Sequence, residues 1–373
     1  MRRAAWIWWL VAAARLAAAQ ATADPDSTVE EPVAVQLWPP EVTTLGSVWT
    51  PQMSYSTNSG VGFGLETLRP FRIEDDRRGS PSTLSFYVKG TTRGHWRVNT
   101  ACDLRWGRDT YHLRLRFEHD DHAREFYGLG PGSDTDDPDV YRPGSSFGYI
   151  EGTVGVGDHL ALGPRFEAHH QTVHDVPPDG RLASQVARGL DGGWALGYGL
   201  VANYDTRDCR LRACRGVYLQ GMALTFPGRP GDHAFEVGNL DLRGYLPLAN
   251  GSTLAAQLFY YGVGGEPPFW RLAAIGGRDH TRAYARDRWL DEHLLAGQVE
   301  WRWRPWRRIG VVAFAGLATV APEPSLWRAR YLRPTLGAGM RLFRDATSPV
   351  PIRLDLALGY QSVRAVLAVG EAF

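Results

Sequence analysis

Two short segments of this sequence carry residue types that bind metal ions. His169, His170 and His174 have the spacing of metal ligands, but neighbouring residues of a strand point to opposite faces, and the segment continues into Pro177-Pro178. We therefore interpret the three histidines as a surface cluster. The acidic run 134–139 offers oxygen atoms to a divalent cation, yet it lacks the glycine and the ligand spacing of a calcium loop. It predicts a solvated outer loop, and we expect no metal site.

No segment predicts a phosphate site or a catalytic centre. Gly128-x-Gly130-x-Gly132 resembles a phosphate-binding glycine loop, but no helix pattern follows it, and we interpret it as a loop turn. No set of Ser, His and Asn stands out of the kind that a barrel phospholipase needs on adjacent strands. The net charge of +1 argues against a nucleic-acid partner. We expect a protein that is not an enzyme and has no cofactor.

The sequence contains three cysteines. Cys209 and Cys214 are close in a predicted turn, near enough for a local disulfide in an oxidising compartment, whereas Cys102 falls within a predicted strand and would stay free. We favour a structural bridge between Cys209 and Cys214. The alternative is three unpaired thiols.

The N-terminal residues predict export from the cytoplasm. Met1-Arg2-Arg3 precedes an apolar stretch, and small residues follow before Asp24, which is the pattern of a secretory signal peptide. Arg15 interrupts the apolar run and leaves it well short of the roughly 20 residues of a spanning helix. We predict a signal peptide at residues 1–23, rather than a membrane anchor, and a periplasmic lead-in at residues 24–46.

Apolar and polar residues alternate through the rest of the chain with the period of a strand. Ile352, Leu354, Leu356, Leu358 and Tyr360 share one face, and the residues between them form the other. The same alternation sets Tyr111, Leu113, Leu115 and Phe117 against His112, Arg114, Arg116 and Glu118, and Val299, Trp301 and Trp303 against Gln298, Glu300, Arg302 and Arg304. Since no further apolar run is long enough for a helix, a membrane-embedded chain must cross as a closed barrel with its charges in the lumen.

Turn signals divide the chain into segments of about ten residues, the length of a transmembrane strand. We predict about sixteen antiparallel strands, at residues 47–57, 60–70, 82–92, 95–107, 110–120, 146–157, 159–173, 192–205, 216–226, 234–246, 252–262, 292–304, 309–320, 331–343, 350–361 and 364–373. An even number puts both termini in the periplasm and the long connections 121–145, 174–191 and 263–291 outside. Together with the terminal Phe373, this predicts an all-β transmembrane barrel at residues 47–373, embedded in the lipid bilayer of a bacterial outer membrane.

Two internal segments resemble the BamA/TamA superfamily, the bacterial surface antigen family of outer-membrane insertase and translocator barrels. One is a turn motif formed by Asp205, Arg207, Asp208 and Gly216. The other is Gly276-Gly277-Arg278-Asp279-His280-Thr281-Arg282-Ala283-Tyr284. The resemblance extends to Ser54-Tyr55-Ser56, Phe126-Tyr127-Gly128-Leu129-Gly130, Gly297-Gln298-Val299-Glu300-Trp301-Arg302 and Gly337-Ala338-Gly339-Met340-Arg341, and it covers about residues 45–373.

The resemblance implies that the late external loop folds into the lumen and that its arginine pairs with acidic residues on the next two strands. Carried over, the arginine is Arg282, the aromatic residue of the tip is Tyr284, and the first acidic partner is Glu300, which the alternation independently places inside the barrel. The alternative is that Arg282 is an ordinary solvated arginine of an outer loop. If the lock forms, loss of either partner would leave a buried charge unpaired.

The sequence departs from the family pattern in two places of this lock. Ala283 replaces the middle glycine of the tip, and Gly316 occupies the position of the second acidic residue. We therefore expect a weaker lock, or one that is rebuilt through other groups such as Asp279 or Asp287.

The resemblance also implies a function. It predicts a barrel that assists the insertion or passage of a protein or lipid-linked partner, through a weakly paired seam between the first strand and the last. Residues 24–46 leave no room for the periplasmic polypeptide-transport domains of the family, so we expect a short member of the family that lacks these domains. We expect its partner to be a periplasmic protein or a protein cargo. Its own insertion would need the outer-membrane assembly machinery. The alternative is a passive diffusion pore or surface antigen, and a pore should have an open lumen.

Overall fold

The computed structural model describes the barrel part of the chain, and the predicted signal peptide and lead-in lie outside the described residues. The described residues are 47–56, 60–73, 80–133, 137–186, 188–228, 234–344, 348 and 350–373. In this part of the chain no helix is long and apolar enough to cross a membrane.

Sixteen long strands of the described residues form one antiparallel sheet that curls into a nearly closed barrel, as the alternation predicts. We number the wall strands in chain order. They are β1 (Val48–Ser56), β2 (Gly60–Phe71), β3 (Ser82–Thr91), β4 (Trp96–Trp106), β5 (Tyr111–Asp120), β6 (Asp139–Val156), β7 (Leu160–His174), β8 (Gly193–Asp205), β9 (Gly216–Phe226), β10 (Phe235–Pro247), β11 (Thr253–Gly265), β12 (His293–Trp303), β13 (Ile309–Ala321), β14 (Arg333–Phe343), β15 (Pro351–Gly359) and β16 (Ser362–Val369).

Shorter elements lie in the connections between wall strands. The strand Arg124–Phe126 follows β5, and the strands Ala273–Ile275 and Trp289–Asp291 pair with each other in the connection from β11 to β12. Helix α1 spans Arg181–Gln185. Single 3₁₀ turns are at Phe269–Arg271, Pro324–Leu326 and Ala329–Tyr331.

The bounds of two strands differ clearly from the prediction. β6 begins at Asp139, seven residues earlier than predicted, because its first residues pair with Arg124–Phe126. β16 ends at Val369 instead of residue 373, because Gly370 takes a positive φ of 88° that turns the chain out of the sheet.

The barrel wall has an apolar outside and a polar inside. Leu354, Leu356 and Leu358 of β15 are about half exposed on the outer face, whereas Arg353 and Asp355 between them are almost fully buried. This is the arrangement expected of a barrel in lipid, since charged side chains avoid the hydrocarbon by pointing into the lumen.

The wall is interrupted at one place. β1 pairs with β2 from Val48 opposite Leu68 to Ser56 opposite Gly60, and β15 pairs with β16 from Ile352 opposite Val369 onward. Among the described residues no ladder joins β1 to β16. We call this gap the seam.

The two ends of the barrel are covered differently. We call the end where β1 begins and β16 finishes the terminal end, and the opposite one the loop end. At the loop end, Phe126, Tyr141, Leu182, Phe269 and Leu290 form an apolar cluster that joins three long connections. The loop end is therefore covered by loops that share a core.

Candidate functional site

The connection between β11 and β12 enters the barrel. Its two short strands pair antiparallel and carry the tip, residues 276–288, which contacts inward-facing side chains of several wall strands. Gly276 has a φ of +125°, and a Cβ there would lie 1.7 Å from the carbonyl oxygen of Ala285. Only glycine fits this close approach, so Gly276 determines where the loop turns back.

Arg282 lies at the centre of the tip contacts and is 1% exposed. One of its terminal nitrogens donates to Glu300 on β12 at 2.5 Å and the other donates to Asp355 on β15 at 2.8 Å. Gln298 accepts a further hydrogen bond at 2.9 Å. The guanidinium carbon also lies 3.7 Å from the ring centre of Phe314. A single arginine thus holds two carboxylates from strands on either side of β13 and β14.

The second carboxylate of this site is one that sequence reasoning did not select. We expected a weaker lock, or one rebuilt through groups such as Asp279 or Asp287. In the structure Asp279 pairs with Arg353 at 3.2 Å, and Asp287 pairs with Arg124 at 3.2 Å. The partner of Arg282 is Asp355. Its inward position on β15 was readable from the alternation, and this was the signal that could have found it.

The tip also binds the last two strands through Ala283 and Tyr284. The Tyr284 hydroxyl donates to the carbonyl of Pro334 and accepts the backbone N–H of Tyr360 at 2.9 Å. The Ser362 hydroxyl, at the start of β16, donates to the carbonyl of Ala283 at 2.5 Å. Arg364 of β16 donates to the carbonyl of Tyr284. The tip therefore holds the strand that forms one side of the seam.

Gly359 of β15 leaves space for the tip, because it has no side chain at the point of contact. A Cβ at Gly359 would lie 2.7 Å from the Tyr284 ring and 2.8 Å from the Cβ of Ala283. The close packing at the tip therefore includes Ala283, which stands where the family pattern has glycine, with Gly359 on β15 providing the space.

The tip reaches the other side of the seam through Arg278. Its guanidinium donates to Glu66 of β2 at 3.2 Å, and Glu66 accepts a bond from Gln52 of β1 at 2.9 Å. The Arg278 side chain is 45% exposed, so this contact is far more solvated than that of Arg282. The in-folded tip thus contacts the strands on both sides of the seam.

The turn motif forms a compact structure at the terminal end. Asp205 accepts two hydrogen bonds from the Arg207 guanidinium, at 2.9 and 2.8 Å, and one from its backbone N–H at 3.1 Å. Asp208 accepts the backbone N–H groups of Cys209 and Cys214 at 2.9 Å. Gly216 has a φ of +103°, and a Cβ there would lie 2.3 Å from the carbonyl of Thr206. The predicted motif residues therefore define the shape of one turn.

The predicted disulfide is not formed in the structure. Cys102, Cys209 and Cys214 are all free thiols. The carboxylate of Asp208 joins the two sides of the turn instead of a bridge. Burial raises the pKa of the Cys209 thiol, which keeps it in the protonated, less reactive form at neutral pH.

Phe373 lies inside the barrel and not on the lipid-facing side of a terminal strand. We call residues 370–373, which follow β16, the tail. The Phe373 ring packs beside Tyr245, and a main-chain oxygen of Phe373 accepts a hydrogen bond from Arg302 at 3.0 Å. Glu371 of the tail pairs with Arg341 at 2.7 Å. Ala213 of the turn motif region belongs to the same apolar cluster, so the tail packs inside the barrel at its terminal end.

The histidines do not form the surface cluster that we predicted. His169 is buried on the inner face, where it contacts Glu167 at 2.9 Å, and His170 lies on the other face against Trp194. His174 is exposed at the end of β7. In the described part of the chain no three His, Cys, Asp or Glu side chains come together as metal ligands.

The other two candidate loops lie at the loop end. Residues 134–136 of the acidic run lie outside the described residues, and Asp139 accepts the backbone N–H of Leu182 at 2.7 Å. The backbone N–H of Gly130 donates to the carbonyl of Leu290 at 2.8 Å. The glycine segment is therefore a turn that attaches one outer loop to another.

The barrel is similar to three solved structures. The BamA of Haemophilus ducreyi lacking POTRA domains 1-3 is matched with a TM-score of 0.54 and 13% identity over 87% of this chain and 70% of that chain. CdiB from Acinetobacter baumannii gives 0.50 and 10%, and CdiB from Escherichia coli gives 0.51 and 9%, each over 87% of this chain.

This chain spans 58% and 61% of the two CdiB chains. No protein-family model matches the sequence, and no curated protein matches it. At these identities the likeness shows the fold, which is that of the BamA and CdiB barrels.

We predict that Arg282→Ala strongly destabilises the folded barrel and frees the loop tip. The substitution leaves Glu300 and Asp355 buried without the cation between them, and breaking a buried pair in this way costs about 3–5 kcal/mol. Urea unfolding in vesicles measures the loss, and protease cleavage within the tip reports its release. Arg278→Ala is the matched control, because its exposed pair contributes about 0–1 kcal/mol. Equal losses in the two variants would contradict the lock.

A second prediction concerns Asp291, at the base of the loop outside the wall strands. Burial raises its pKa to about 6, although the N–H of Glu292 donates to its carboxylate. The folded state therefore favours the protonated acid, and stability is lost as pH rises from about 4 through about 6. We expect hydrogen exchange of residues 288–292, corrected for intrinsic rates, to accelerate between pH 4 and 7 in the wild type but not in Asp291→Asn.

Glu266→Gln, which changes an exposed carboxylate of the same connection, is the control for Asp291. It should retain the wild-type pH dependence. A pH dependence that survives in Asp291→Asn would assign the effect to another group.

Proposed function

We propose that this chain, whose barrel has the fold of BamA and CdiB, assists the insertion or passage of a protein or lipid-linked partner at the outer membrane. The observation that carries the proposal is the seam. Because β1 and β16 share no ladder in the described residues, each has a backbone edge with unpaired N–H and C=O groups. Such an edge is a template for an incoming strand.

The contents of the lumen argue against a diffusion pore. A pore of that kind needs a continuous polar channel. Here the tip crosses the lumen and binds wall strands through Arg282 and Tyr284, while the tail fills the terminal end around Phe373. These contacts are consistent with a barrel that works at its seam and not through its centre.

The location and partners follow from the proposal. The apolar outer face and the inward charges suit a lipid bilayer, and likeness to outer-membrane barrels favours that membrane. The protein or lipid-linked partner would reach the seam from the terminal end, on the periplasmic side. A separate periplasmic protein would deliver it, and the cell's outer-membrane assembly machinery would insert the barrel itself.

The first test is an insertion assay with the refolded barrel in liposomes. The probe is an eight-stranded outer-membrane barrel protein, unfolded in urea, whose folding is followed by its changed mobility in cold detergent gels. We expect liposomes that carry the barrel to fold the probe faster than empty liposomes do, since the seam edge pairs with the incoming strand.

A seam-locked variant is the matched control for this assay. It carries one cysteine in residues 50–54 and one in residues 363–367, in a background of Cys102→Ser, Cys209→Ser and Cys214→Ser. Oxidation should abolish the acceleration and reduction should restore it. Acceleration that persists in the oxidised protein, or that is absent throughout, would refute insertion at the seam.

Single-channel conductance in a planar bilayer separates a plugged barrel from a pore. We expect low, flickering conductance in the wild type and a large, steady conductance after deletion of residues 270–288, because the deletion removes the tip from the lumen. Arg282→Ala should open the channel intermittently without shortening the loop. A large, steady conductance in the wild type would instead favour the pore.

A further inference from the structure

We propose that the loop tip and the tail are two coupled latches on β16, connected through the lumen by two chains of buried ion pairs. The inference rests on the proposed function only in its purpose, because release of β16 is the motion that would open the seam. The coupling itself is a property of the barrel and can be measured without any partner.

The first latch acts where β16 begins. The hydroxyl of Ser362 and the guanidinium of Arg364 donate to consecutive carbonyls of the tip, those of Ala283 and Tyr284. Tyr284 in addition accepts the backbone N–H of Tyr360, in the turn between β15 and β16. The first residues of β16, at the loop end, are thus bound to the tip as well as to β15.

The second latch acts where β16 ends. The backbone N–H of Gly370 donates to Pro351 at 2.8 Å, and the chain then turns inward. Glu371 pairs with Arg341 at 2.7 Å, and Arg302 lies over the Phe373 ring, 4.7 Å from its centre. The terminal end of β16 is therefore anchored, through the tail, to side chains of β12 and β14 inside the lumen.

One ion-pair chain runs along β12 from the tip to the tail. Arg282 binds one oxygen of Glu300 at 2.5 Å, and Arg302 binds the other oxygen at 2.7 Å. Arg302 then donates to a main-chain oxygen of Phe373 at 3.0 Å. Glu300 is the shared group, since its two oxygens serve the two latches.

The other chain runs through β15 and β14. Arg282 binds one oxygen of Asp355 at 2.8 Å, and Arg341 binds the other at 2.5 Å. Arg341 then pairs with Glu371. Both chains therefore begin at Arg282 and finish in the tail, one at Phe373 and the other at Glu371.

The burial of these groups is what couples the latches. The ionic side chains of both chains are less than one tenth exposed. If the tail leaves, Arg302 and Arg341 lose one partner each. Their remaining carboxylate partners are Glu300 and Asp355, which are also the partners of Arg282, so the ion pairs of Arg282 change. Displacement of the tip likewise affects the tail, because it changes the same ion pairs from the other end.

The test is hydrogen exchange of the refolded full chain in lipid nanodiscs, read on peptides that cover the tip (278–284) and β16 together with the tail (363–373). Glu371→Gln removes the side-chain charge of the tail and leaves Arg341 with Asp355. We expect exchange to be roughly tenfold faster in both peptides, because a lost charge-assisted bond shifts the local opening equilibrium by about that factor. Phe373→Ala, which changes no charge, should also accelerate exchange in both peptides.

Asp103→Asn is the matched control. It neutralises another lumen carboxylate, whose partners Arg105 and His112 belong to β4 and β5. Its tip and β16 peptides should exchange as in the wild type.

The reciprocal variant is Tyr284→Phe, which removes one hydroxyl from the tip and should accelerate exchange of the tail. Combined with Glu371→Gln, its effect on β16 should be smaller than the product of the two single effects. Faster exchange of β16 with an unchanged tip in Glu371→Gln, or strictly multiplicative effects in the double variant, would overturn the coupling. Failure of the insertion assay would leave these exchange results standing, so the two proposals are tested separately.

Discussion

One guanidinium buried between two carboxylates determines how the lumen of this barrel is filled. Arg282 is inaccessible to water, and a charge in that setting is tolerated only where its partners offset the loss of hydration. Glu300 and Asp355 do so, and each is itself balanced by a second arginine. The tip cannot leave the lumen without exposing or stranding these charges. The position of the loop, the closure of the lumen and the restraint on β16 all depend on this contact.

The outer face of the wall explains why so much charge is inside. A strand has only two faces, and lipid requires that one of them be apolar. An ionic side chain in the lipid-embedded part of a strand must then point inward, where it needs a partner of opposite charge or water. In this barrel many partners come from neighbouring strands, as with Glu151 and Arg165 or Arg114 and Glu151, and others from the same strand, as with Asp241 and Arg243. The same demand makes the lumen a suitable place for an arginine-bearing loop.

The sequence predicts the wall well because the lipid imposes a period of two on every strand. The tail was predicted wrongly, as part of the last strand, since Ala372 and Phe373 are apolar and suit a lipid-facing edge as well as an inner cluster. What places them inside is Gly370 and the attraction of Glu371 to Arg341, which depend on the closed barrel. Asp355 illustrates the same limit. Alternation puts it in the lumen, but only the folded loop brings Arg282 to it.

The seam is held unequally on its two sides. The contact of the tip with the β1 side runs through Arg278 and Glu66, a pair with a half-exposed guanidinium, and such pairs contribute about 0–1 kcal/mol. Towards the β16 side the tip is held by buried ion pairs with Glu300 of β12 and Asp355 of β15, whose loss costs about 3–5 kcal/mol. A perturbation that reaches both sides would therefore release β1 and β2 from the tip before it releases β16. Under the proposed function, the edge of β1 would then become accessible first, and full opening of the seam would still require the release of β16.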